Sequence, residues 1–115
     1  MIDQQYDDDC LVCCLSHVLG IPYSDIPNFV RKYEAGWRQE MDLWLEGFHS
    51  IECIAFDGWY PRKGVYMVDG FTERGTPHIV VYSGRDMVMD PHRSRAGLSE
   101  IRRTYWLMPL SPHVA

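Results

Sequence analysis

Apolar positions from Cys10 to Leu19 follow helical spacing. Cys10, Cys13, Cys14, His17 and Val18 share one side, and Leu11, Leu15 and Leu19 adjoin them. A helix that is apolar nearly all round predicts a central, buried element. Asp9 or Asp8 stands where its N-cap belongs, Gly20 where its left-handed stop belongs, and Pro22 forbids continuation. Ser24 is expected to cap a second short helix through Ile26, Phe29, Val30 and Tyr33, with Pro27 in its first turn. Gly36 breaks the chain before a third helix over residues 37–48, whose apolar face is Met41, Leu43, Trp44, Leu45 and Phe48. The apolar period then drops from about 3.6 to about 2. Strands are expected at residues 51–56, 64–68, 78–82, 87–90 and 105–110, with a helical turn at 98–103. Ser83, Gly84, Arg85 and Asp86 read as a hairpin turn between the third and fourth strands. Helices first and a mostly antiparallel sheet after them define an α+β class.

Composition narrows this picture. The 115 residues suit one domain, residues 1–115, and 46% apolar content excludes a disordered chain. A net charge of −5 with no basic stripe argues against nucleic acid as a partner. Arg93, Arg95, Arg102 and Arg103 read as a solvated face. No apolar run approaches the ~20 residues of a membrane span. The first residues are acidic rather than basic, unlike a signal peptide, so no membrane association and a cytoplasmic location are expected. The four cysteines are then free thiols.

Those cysteines are not equivalent. Cys10 opens the first helix, where unpaired N–H groups and the helix dipole favour a thiolate. Cys13 and Cys14 read as packing residues. His78 opens the apolar run HIVVY, and Asp90 ends MVMD. A thiol nucleophile needs a base, a group that fixes the base's tautomer, and donors for the oxyanion. Cys10, His78 and Asp90 fit the first three roles. The Gln4 side-chain amide and the Cys10 N–H fit the last. His92 competes for the role of base, and the Trp59-Tyr60 turn is a candidate cleft wall.

In that order the residues resemble the bacterial papain-like peptidases that remove double-glycine leader peptides from bacteriocins. Those domains read Q-x5-DCG-x-A-C-L-A-M-V-L-G, and the matching positions are Gln4, Asp9, Cys10, Cys14, Leu15, Val18, Leu19 and Gly20. Their second motif, H-[FY]-V-V and a strand ending D-P, resembles His78 to Val81 and Asp90-Pro91. The chain is also similar to small stand-alone bacterial and phage papain-like proteins with a D-P-H-x-S-x-x-G-L segment, here Asp90 to Leu98. The resemblance implies a minimal papain-like fold and a thiol-dependent peptidase acting on a peptide or protein substrate without cofactor. In it Cys10 is the nucleophile, His78 the base, Asp90 the orienter and Gln4 the oxyanion donor. Leu11 departs from the family's glycine and implies a narrower or differently shaped space beside the thiol. The transporter domain usually fused to leader peptidases is not in this sequence.

Other readings compete. A non-catalytic peptide or host-protein binder would use the same groove, and glutamine deamidation or transglutamination would use the same triad. Cys10, Cys13, Cys14 and His17 have helical spacing for a metal, but structural zinc sites usually draw ligands from two segments, so no metal is expected. Asp7, Asp8 and Asp9 form either a solvated loop with one N-cap or a negative rim that prefers basic substrate residues.

Overall fold

A computed structural model describes residues 8–110. Gln4 and Asp7 lie outside the described residues. Helix α1 spans Cys10–Leu19, α2 Phe29–Tyr33 and α3 Trp37–His49. Strands β1 (Ile51–Asp57), β2 (Val65–Phe71), β3 (Pro77–Ser83), β4 (Asp86–Met89) and β5 (Glu100–Pro109) follow. All pair antiparallel, in the order β1-β5-β2-β3-β4. The expected α+β layout is present, with helices packed on a five-stranded sheet.

Period-2 alternation gives the sheet two apolar faces. Met67, Ile79, Val81, Met89 and Tyr105 meet Leu11, Val12, Leu15, Phe29, Met41 and Leu45 of the helices. On the other face Tyr66, Val68 and Val80 are buried beneath Tyr82, Met87, Leu98, Ile101 and Trp106. The β1–β2 connection folds back over that second face. Trp59 Nε1 donates to Tyr66 Oη at 3.1 Å, and Trp106 Nε1 donates to the Tyr60 carbonyl at 3.0 Å. Trp59 and Tyr60 are therefore structural cover rather than cleft wall.

Three local expectations are corrected. Ser24 does not cap a helix: residues Tyr23–Asp25 form a 3-10 turn, and α2 starts later with Asn28 Oδ1 accepting from Arg31 N–H at 3.0 Å. Pro27 thus precedes the helix, where its fixed φ and missing N–H suit the turn. Residues 98–103 hold no helical turn, because β5 already runs from Glu100 and fills the gap between β1 and β2. Asp9 stands at the N-cap position of α1, but its Oδ2 accepts from the Tyr23 hydroxyl at 2.7 Å and its carboxylate does not cap the first turn. Gly20 ends α1 in the left-handed region at φ 68° as expected, with its N–H on the Ser16 carbonyl.

One irregularity interrupts the sheet. The β2–β5 register shifts between Asp69 and Gly70: Asp69 faces Arg103, and Gly70 faces Ile101. Arg102 is the extra residue of a bulge. The bulge brings backbone so close that a Cβ on Gly70 would lie 1.8 Å from the Glu100 carbonyl oxygen. Gly70→Ala is therefore expected to lose about 3 kcal/mol of stability, because the obstacle is backbone rather than a movable side chain. Urea unfolding measures this; a midpoint equal to wild type would refute the close approach.

Candidate active site

The site begins with how α1 sits on β3. Cys14 is fully buried, and its Sγ donates to the Ile79 carbonyl at 3.3 Å. Cys10 lies four residues earlier on the same face, about 6 Å nearer the helix start. It therefore lies level with the beginning of β3, where His78 is. Cys10 and His78 line one cavity of about 470 Å³ with Trp37, Asp69, Phe71 and Ile79. Leu11 points away from it, 1% exposed within the core. The leucine after Cys10 therefore does not itself narrow the cavity.

His78 is buried, and its Nε2 lies 2.7 Å from Asp90 Oδ1. Asp90 follows β4, which hairpins back along β3, and Gly84 at φ 61° makes the tight connection. Burial raises the Asp90 pKa, but the His78 contact and the N–H groups of His92 and Gly97 outweigh it, so the carboxyl is held below its ordinary value. An ionised carboxylate only accepts, so the proton of a neutral His78 resides on Nε2 and Nδ1 is the basic nitrogen.

The segment after Asp90 is wrapped around that carboxylate. Oδ1 also accepts from His92 N–H at 2.9 Å, and Oδ2 accepts from Gly97 N–H at 2.8 Å. Arg95 Nη1 donates to the carbonyls of Asp90 at 2.6 Å and His92 at 2.9 Å. This explains the D-P-H-x-S-x-x-G-L pattern physically. Gly97 takes φ 74° to aim its N–H, and Ser94 N–H donates to His92 Nδ1 at 3.1 Å. The His92 ring stands edge-on to His78 at 6.1 Å and does not line the cavity. His92 thus supports Asp90 through its backbone.

The thiol departs from its expected state. Burial pushes Cys10 up to about 11, and nearby Asp9 adds to this. Backbone hydrogen bonding at Ile79 and Leu11 pulls the other way, but less. The helix end does not produce a thiolate at neutral pH, so the thiol needs a base to take its proton. Cys14 is pushed up further by its own burial, and Cys53 up to about 12.

The other expectations divide. Asp8 is held by Arg31 through two bonds, at 2.9 and 2.7 Å, and Asp9 is buried against Tyr23. These two acids form no open negative rim. The cysteine face does not converge on a metal: Cys13 and Cys14 are buried while His17 is exposed. The four arginines read as a solvated face are exposed as expected; Arg95 also braces the Asp90 loop, and Arg102 and Arg103 also line the cavity. Sequence patterns gave no signal for Trp37, Asp69 or Phe71 as cavity residues, because their places depend on strand register.

Asp90 carries a pH signature. Its folded pKa is depressed, so its stabilisation is complete above the ordinary carboxylate value and is lost as pH falls through the lower folded value. Asp90→Asn is expected to cost about 2 kcal/mol at pH 7, with the gap to wild type closing in strong acid. Urea titrations across that range check it; a gap independent of pH would show that ionisation of Asp90 contributes nothing. No protein-family model, curated protein or solved structure matches this chain.

Proposed function

We propose that this chain is a papain-like, thiol-dependent peptidase. The observation that carries the reading is the buried His78–Asp90 pair at 2.7 Å, opening on the same cavity as the Cys10 thiol at a helix start. The order cysteine, histidine, carboxylate and the two motifs resembling bacterial papain-like peptidases support it.

The reaction runs in two halves. His78 Nδ1 takes the Cys10 proton as Sγ attacks the scissile carbonyl carbon. The oxyanion is met by the Cys10 N–H, which belongs to the first turn and has no intrahelical acceptor. Gln4 is the second donor in this reading. The tetrahedral adduct collapses, the amine leaves with the proton from His78, and a thioester remains on Cys10. Water then attacks with His78 as base, releasing the carboxylic acid and restoring the thiol. Asp90 stays ionised throughout, holding the ring and stabilising the imidazolium. Because the resting thiol is neutral, His78 is needed in the first half as well as the second.

The same burial of Cys10 favours a second reading, a peptide-binding groove without turnover. Iodoacetamide separates the two. In the enzyme, Cys10 labels at pH 7 faster than Cys53, because His78 takes its proton as the thiol reacts, and His78→Ala slows it about tenfold or more. Labelling indifferent to His78 supports the binder. Cys10→Ala is expected to abolish cleavage of any substrate the wild type turns over, read by mass as intact chain; retained cleavage would sink the peptidase reading. A one-dalton gain without cleavage identifies deamidation.

A further inference from the structure

We propose that Arg102 and Arg103 form a carboxylate-binding subsite in the cavity beside Cys10, so that the substrate carries an acidic group near the bond attacked. This inference rests on the peptidase reading for its meaning, but not for its geometry. Neighbouring residues of a regular strand point to opposite faces, so an Arg-Arg pair would normally divide. Here the bulge opposite Asp69 and Gly70 interrupts the alternation, and both arginines line the cavity that holds Cys10 and His78. Bulges at sites re-aim side chains in this way.

The charge balance of the cavity favours an anion. Of the two carboxylates lining it, Asp8 is neutralised by its paired bonds from Arg31. Asp69 is engaged from within: its Oδ2 accepts from the Tyr105 hydroxyl at 2.5 Å, and the Arg103 backbone also bonds to it. Among the lining residues two guanidinium groups stand against that one carboxylate, which both of them attract. Arg102 lies over the Phe71 ring at 5.5 Å, which orients it. Arg103 Nε donates to Asp57 at 3.3 Å, a contact between exposed side chains. Each guanidinium has five donors, and such a planar fork suits a carboxylate. The chemistry fits either an acidic side chain or the C-terminal carboxylate of a peptide.

Protection of Cys10 from iodoacetamide tests the proposal without requiring turnover. Three probes are compared: acetyl-Ala-Ala-Glu-amide, acetyl-Ala-Ala-Ala with a free carboxylate, and acetyl-Ala-Ala-Gln-amide, with Cys10 labelling read by mass spectrometry. At least one carboxylate peptide is expected to slow labelling at a concentration where the neutral peptide does not. Protection by the glutamyl amide points to an internal acidic residue, and protection by the free carboxylate points to a chain end. Arg102→Gln with Arg103→Gln is expected to weaken protection about tenfold, and Lys at both positions to restore part of it. In wild type, about 0.5 M salt should erode the preference for the charged probe. Equal protection by the neutral probe, no protection by any, or unchanged protection in the double variant overturns the subsite. Failure of the peptidase reading looks different: unprotected Cys10 then labels no faster in wild type than in His78→Ala.

Discussion

The contact between the Cys14 thiol and the Ile79 carbonyl fixes where α1 sits along β3. A slip of one helical turn would move Cys10 about 5.4 Å from its place beside the strand start. The neighbouring side chains oppose that slip. Leu11, Val12 and Leu15 are buried in one core cluster with Met41 and Leu45 of α3 and the sheet residues Ile79 and Val81. Close packing of this kind has few alternative registers. Cys14 belongs to the core by burial, and its one polar contact places the candidate nucleophile.

Asp90 organises the opposite wall. It is 2% exposed, and its oxygens meet a histidine ring and two backbone N–H groups. A buried carboxylate is tolerable when its lone pairs are met in this way. The loop that meets them is held in turn by Arg95 and by the left-handed Gly97. The ring of His78 is thereby fixed with one nitrogen committed and the other available for proton transfer.

Two opposing electrostatic effects meet at Cys10. The helix end favours a thiolate, and removal from water disfavours it. Burial wins, with Asp9 on its side, so the resting thiol is neutral. In the proposed reaction, proton transfer to His78 then accompanies attack. Arg102 and Arg103 line the same cavity without entering this balance directly, since they lie on β5.

Local patterns determined much of this. The apolar run of α1, Gly20 as a stop, the hairpin around Gly84 and the α+β order were all legible, because each follows from side-chain period or from a residue's own backbone preference; of the apolar face expected on α3, Met41 and Leu45 are buried but Leu43 and Phe48 are exposed. The pairing of His78 with Asp90 was legible too, since a two-residue hairpin brings those strand ends together. Tertiary structure alone decided the rest. Asp9 turned to Tyr23, Asp8 to Arg31, and Leu11 into the core, because those partners are distant in sequence. The Cys10 thiol lost its expected charge because burial is a property of the whole fold. Arg102 and Arg103 share a cavity because β5 pairs out of register with β2, and a register shift leaves no mark on the local pattern of apolar and polar residues.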